Sequence, residues 1–246
     1  MRNVGRLIYR PFSLLYIAFL AFLFFTLAGA FLSFFRGLLV NAIGIPQEYF
    51  WAVTLLSLIG SAVNLPLFVM ESPKPVTYLD EINVFGIRRL IPYFESKPKE
   101  TLVMVNLGGA VIPVLISGYL LLFSIPSHSS NLMVSYMQTL IVLILVTLST
   151  HQSAQVVDGL GITTPAWAAP TMTAFVVFLM NYLVPVSCAT QIAYIGGTLG
   201  ALIGADLMNI RKIAGVGPVV SIGGAGTFDG VYLTGLMSVL LVLLIA

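Results

Sequence analysis

Apolar residues run through this chain in blocks of roughly 20, the length that crosses the hydrocarbon of a bilayer, with short polar breaks between them. Seven blocks qualify: residues 12–35, 48–70, 102–124, 132–150, 166–186, 189–209 and 219–246. The pattern predicts an all-α fold, a polytopic transmembrane helix bundle of about seven spans forming a single integral membrane domain over 1–246. Arg2, Arg6 and Arg10 ahead of the first block, with Ala28-Gly29-Ala30 inside it, resemble a signal peptide. The apolar run continues past that site to Phe35, longer than a signal h-region, so the segment reads as an uncleaved first helix.

Composition agrees. Of 246 residues 59% are hydrophobic and 8% charged, too little charge for a water-soluble domain of this size. Charge placement gives the orientation. With the N-terminus in the cytoplasm, Arg2, Arg6, Arg10, Lys74, Arg88, Arg89, Lys97, Lys99, Arg211 and Lys212 all lie inside, and of the 11 basic residues only Arg36 lies outside. The C-terminus is then expected outside, and the chain in a prokaryotic cell membrane as a multi-pass protein. The one sizeable soluble piece is the cytoplasmic connection 71–101, whose stretch 79–91 has acids early and arginines late, as a short helix prefers; an irregular loop fits it nearly as well. Its basic residues suit anionic lipid. A net charge of +2 gives no reason to expect nucleic acid. The single Cys188 excludes an internal disulfide and a cysteine-based zinc cluster. His128 and His151 fall on opposite sides of the membrane, so no metal and no cofactor is expected.

The informative chemistry lies in polar residues within the spans. Asn64, Asn106 and Asp206 each fall roughly 7–11 Å inside the cytoplasmic surface when counted along a helix, and Asn209 and Asp229 could join them. A carboxylate in hydrocarbon costs several kcal/mol, which makes it a functional candidate. Glycine supports close helix approach: Gly196, Gly200 and Gly204 form one small-residue stripe, repeated one position on by Gly197, Ala201 and Ala205, and Gly226, Gly230, Thr234 and Ser238 form another. Asp229 falls within about 60° of Gly226 on a helical wheel and faces that seam, whereas Asp206 falls off the first stripe. Gly108-Gly109-Ala110 and Gly223-Gly224-Ala225 echo each other. The plain alternatives are an ion pair of Asp206 with Arg211 or Lys212, a helix cap by Asp229, and asparagines that bond between helices.

Two paired intramembrane aspartates would perform aspartyl protease chemistry, sharing one proton so that one activates water while the other polarises a peptide carbonyl. The placement resembles that of presenilin and signal peptide peptidase, whose catalytic aspartates sit on consecutive spans, inward- then outward-running, in the cytoplasmic half. Ala205 and Phe228 stand where that family has Tyr and Gly, and Pro165-Ala166 precedes the aspartates instead of following them. The resemblance implies catalytic roles for Asp206 and Asp229 on a transmembrane peptide; depth and spacing add Asn64, Asn106 and Asn209, with Gly226, as residues expected to line the same site. A closer resemblance rests on Gly60-Ser61-Ala62-Val63-Asn64-Leu65-Pro66, Asn106-Leu107-Gly108-Gly109-Ala110-Val111-Ile112-Pro113, Gly204-Ala205-Asp206-Leu207-Met208-Asn209 and Ser221-Ile222-Gly223-Gly224-Ala225-Gly226-Thr227-Phe228-Asp229-Gly230. It is to a prokaryotic multi-span family known only as a domain of unknown function, number sixteen-fourteen, and it supplies a family without an activity. The rival reading is a proton- or cation-coupled transporter or channel, working as a homodimer because seven spans is small for a carrier; a non-catalytic membrane scaffold is a third.

Overall fold

The structure is a computed structural model describing residues 14–72, 76–84, 87–95, 100–157, 161–224 and 230–245. In chain order the elements are α1 (Leu14–Arg36), α2 (Phe50–Gly60), β1 (Asn64–Glu71), β2 (Val76–Val84), β3 (Ile87–Glu95), β4 (Glu100–Asn106), α3 (Ile112–Tyr119), α4 (Ile125–His128), α5 (Leu132–Ser153), β5 (Gln155–Val157), β6 (Gly161–Thr163), α6 (Ala168–Leu183), α7 (Ala189–Ala201), β7 (Val219–Ile222) and α8 (Gly230–Ile245). Wider π-helical turns extend several of these. One prolongs α1 to Ile43, one opens α3 and another joins α3 to α4 so that Leu107–His128 is continuous, and one carries α7 on through Leu202–Leu207.

Three helices, Leu14–Ile43, Leu107–His128 and Leu132–Ser153, are long and apolar enough to cross a membrane; Ala168–Leu183 and Gly230–Ile245 are apolar but shorter. Side-chain placement carries the same message. In α5 the buried face holds Ser135, Gln138, Thr139 and Thr150 beside Val142 and Val146, while Met133, Met137, Leu140, Ile144 and Leu148 point outward. Polar inward and apolar outward is the arrangement expected when lipid is the solvent. The buried polar groups are used: the Gln138 amide donates to the carbonyl of Val184, just past the end of α6, at 2.7 Å.

α7 is the axis of the core. Ten of its thirteen residues are buried, Tyr194 and Ile195 completely, and it lies between α5, α6 and α8. Its two glycine rows serve two neighbours. A β-carbon on Gly200 would stand 2.7 Å from Val146 of α5, and one on Gly197 3.1 Å from the Ser238 β-carbon of α8. Small residues are thus what permit backbone approach on both sides. α1 is the opposite case, with no buried residue.

The expectation of an all-α bundle is corrected by three sheets among the described residues. The second apolar block, 48–70, is helical only to Gly60; its remainder is β1. The third, 102–124, begins as β4, and the last, 219–246, begins as β7. Pro66 explains the first case, since inside a helix it removes a hydrogen bond and clashes with the preceding turn. β1 pairs antiparallel with β4, Asn64 opposite Asn106, and β4 pairs parallel with β7, Val105 opposite Ile222. Among the described residues of the connection 71–101 neither the short helix nor the irregular loop is found: β2 and β3 pair antiparallel along their full length. Alternating β-branched and aromatic residues such as Val76, Tyr78, Ile82, Ile91 and Tyr93 favour strand over the weak end-charge preference for helix.

Candidate functional site

The sheet delivers its polar residues to one end. Asn106, fully buried at the last position of β4, is a hub. Its side-chain amide donates to the Ser61 carbonyl at 2.7 Å and to Asn64 Oδ1 at 3.1 Å, and its Oδ1 accepts from the Gly109 N–H at 2.7 Å. The last bond caps the π-turn that opens α3, satisfying a donor that helix geometry leaves orphaned. Asn64 Oδ1 also accepts from the Ser221 hydroxyl of β7 at 2.6 Å. Asn64, Asn106 and Ser221 therefore tie together three stretches of chain that are far apart in sequence.

β7 ends at Ile222, and the second polar feature begins at the next residue, Gly223. The Gly223 N–H donates to Asp206 Oδ2 at 2.9 Å. Asp206 sits half-buried on the π-turn after α7. Because the first glycine row faces α5, a residue off that row is free to reach β7, which is where this carboxylate goes. Gly223 has φ of +78°, a conformation that glycine adopts without strain. A β-carbon there would also stand 2.8 Å from the Ala110 nitrogen. The first glycine of the second Gly-Gly-Ala stretch is thus packed against the alanine of the first.

Asn209 stands apart from the hub. Its amide donates to the carbonyls of Gly204 at 3.1 Å and Ala205 at 2.9 Å, closing the frayed end of the α7 helix, and lies 3.1 Å from His151 Nδ1. Lys212 donates to Asn209 Oδ1 at 2.7 Å. Asn209 acts here as a cap, and Lys212 serves that cap. Asn209→Leu keeps the volume and strands two buried carbonyls, a loss of about 1–3 kcal/mol. It should lower the unfolding midpoint of the purified protein clearly more than His151→Ala, which removes only one partner.

Of the residues singled out in sequence, the structure brings Asn64 and Asn106 into contact and links Asp206, through Gly223, to the end of β7 in the same sheet. Gly226 and Asp229 lie outside the described residues. The residues that flank them do not: Ile222 and Val231 belong to one buried apolar cluster with Leu202, Ala110, Val103 and Ile213, and Leu202 precedes Asp206 by one turn. Sequence reasoning missed Ser221, Gly223 and His151. The first two were visible as members of a glycine-rich motif, but their partners are set by strand pairing. It also missed Thr101, fully buried, whose hydroxyl donates to the Gly217 carbonyl at 2.8 Å and accepts from Gly215 N at 2.9 Å. Among the described residues no group of three or more His, Cys, Asp and Glu is placed to hold a metal.

Residues 58–241 match the family described as Protein of unknown function (DUF1614), and the chain belongs to that family. No curated protein and no solved structure matches it.

Proposed function

We propose that this member of the family is an intramembrane aspartyl protease in which Asp206 and Asp229 hydrolyse a transmembrane peptide. The reading takes the chain as one domain of about seven membrane crossings with the N-terminus in the cytoplasm and the C-terminus outside. One observation carries it. The Asp206 carboxylate is fastened to Gly223, and both flanks of the segment holding Asp229, Ile222 and Val231, pack in one cluster with Leu202. Asp229 is two residues from Val231, a chain reach of about 7 Å at most. Asp206 is four residues from Leu202, a rise of about 6 Å. A pair of carboxyl groups beside this cluster would suit a shared proton.

The chemistry needs nothing else. Close carboxylates in a low-dielectric site hold one proton between them. The ionised one takes a proton from water as the oxygen adds to the peptide carbonyl carbon, and the protonated one gives its proton to the carbonyl oxygen. The tetrahedral diol then collapses. A proton passes to the departing nitrogen, the C–N bond breaks, and the dyad returns to its single proton. The hub of Asn64, Asn106 and Ser221 holds β7 in register, and β7 in turn holds Gly223 against Asp206.

The test is cleavage of a fluorescent single-span reporter by the full chain in liposomes. The expected result is one new fragment, whose appearance is blocked by a peptide carrying a hydroxyl isostere at the cleaved bond, since a mimic of the tetrahedral state binds far more tightly than substrate. Absence of cleavage across a panel of spans, together with proton- or sodium-driven flux, overturns it in favour of a carrier. That second reading has its own observation. The hydroxyls of Tyr194, Thr198, Tyr232 and Ser57 are buried where α7, α8 and α2 meet; Tyr194 faces Thr198 and Tyr232 faces Ser57, yet none reaches a partner at hydrogen-bonding geometry among the described residues. Unsatisfied oxygens in a bundle interior are what a coupled proton or cation would use.

A further inference from the structure

Arg36 is the one basic residue that the expected topology leaves on the outer side, and it has no structural employment. Among the described residues its guanidinium makes no ion pair and no hydrogen bond. It is the last residue of α1 before the π-turn that carries the helix on to Ile43, and the 23 residues of α1 extend about 34 Å, close to the thickness of the hydrocarbon layer. A cleft of about 340 Å³ opens there between α1 and the start of α2, lined by Gly29, Leu32, Ser33, Arg36, Gln47, Phe50 and Trp51. Its polar lining groups are a guanidinium, an amide, a hydroxyl and an indole N–H, and it includes no carboxylate. No side-chain hydrogen bond engages Ser33, Gln47 or Trp51 either. Trp51 is held in place edge-on against buried Phe50, ring centroids 5.2 Å apart.

We propose that this cleft binds the phosphate headgroup of a membrane phospholipid, with the acyl chains lying along α1 over Leu32 and Gly29. A guanidinium forks onto phosphate oxygens with charge-assisted hydrogen bonds, and the amide, hydroxyl and indole add neutral donors around it. Tryptophan belongs at headgroup level. The way in is lateral, because α1 buries none of its residues, and space at Gly29 is open: a β-carbon there would meet nothing within 4 Å. A headgroup belongs at this depth, one hydrocarbon thickness along the helix. The site is independent of the carboxylate chemistry.

The experiment measures binding of dihexanoyl phosphatidylglycerol, dihexanoyl glycerol and inorganic phosphate to the full chain in a non-ionic detergent, by native mass spectrometry and by shift of the unfolding midpoint. Saturable binding of the phosphatidylglycerol is expected, at least tenfold weaker in Arg36→Gln and partly retained in Arg36→Lys, which keeps the charge and loses the fork. Gly29→Leu should weaken the phospholipid at least fivefold. Both Arg36 and Gly29 are exposed, so the variants should fold as the parent does, and equal midpoints without lipid check this. The proposal is overturned if Arg36→Gln binds the phospholipid as tightly as the parent, or if the phosphate-free glycerolipid binds equally well. It is also overturned if inorganic phosphate alone matches the phospholipid and Gly29→Leu changes nothing, which would make the cleft a free-anion site.

Discussion

Gly108→Ala should destabilise this protein on the order of 3 kcal/mol, while Gly118→Ala, further along the same continuous helix, should leave it unchanged or slightly better. The difference is steric. A β-carbon on Gly108 would overlap the Ser57 carbonyl oxygen and the Ser61 nitrogen and stand 2.9 Å from the Gly60 carbonyl carbon. All three are backbone atoms of α2 or its end, so no rotamer change relieves them, and overpacking against backbone falls at the upper end of the usual 1–3 kcal/mol. At Gly118 a β-carbon meets nothing within 4 Å, and a helical Gly→Ala exchange by itself gains roughly 0.5–1 kcal/mol. The damage at Gly108 should also spread. Its neighbour Gly109 donates to Asn106, and Asn106 donates to Ser61, so pushing α2 away strains the hub that registers β1, β4 and β7. Unfolding of the two purified variants in one detergent measures it. Equal midpoints would show that α2 and the Gly108 turn are not in backbone contact.

That contact illustrates what the sequence could and could not convey. The membrane character and the existence of an apolar segment in each of the seven blocks are legible, because hydropathy depends on composition alone. Conformation within a block is not. Residues 65–70 are as apolar as the helix before them, and a count of apolar residues cannot separate 11 helical residues followed by 8 extended ones from one long helix. Pro66 was the available signal, since a proline there argues against a continuous helix. The small-residue rows were legible too, and α7 uses both. Which neighbour each row faces was not, as that depends on where α5 and α8 pack. Asn64 and Asn106 read as equals in depth, and they do touch, although on paired strands and not on facing helices. Asn209 shared their depth and residue type, yet it caps the end of α7. Depth is a single coordinate; contact requires the other two, and strand register supplied them here.

The direction of Asp206 follows from the same geometry. A carboxylate on the Gly200 row would have pointed into α5. Placed off it, on a π-turn that shifts the helical phase, it meets β7 and the Gly223 N–H. Wide turns of this kind recur at functional sites because an inserted residue re-aims its neighbours. The fold thus presents one half-buried carboxylate at the tip of a strand whose continuation leads, six residues past Gly223, to the second.

Asp206→Asn and Asp229→Asn should each reduce reporter cleavage about 10³-fold or more while leaving the protein folded. The asparagine amide oxygen can still accept from Gly223 N–H, so the Asp206 exchange preserves the latch to β7 and removes ionisation. Acid–base catalysis by a positioned group is worth typically 10²–10⁴, and a dyad that must be half-protonated loses its function when either member becomes an amide. The double variant should therefore be little worse than either single one, as expected of groups acting as a unit. The parent's rate should pass through a maximum with pH and fall on both sides, because the fully protonated and fully ionised pairs are both inactive. Unfolding midpoints within error of the parent would separate loss of chemistry from loss of fold. If Asp206→Asn cleaves as fast as the parent while Asp229→Asn does not, Asp206 is a latch and the paired mechanism fails. If both cut normally, the carboxylates are structural and the polar end of the sheet serves the bundle alone.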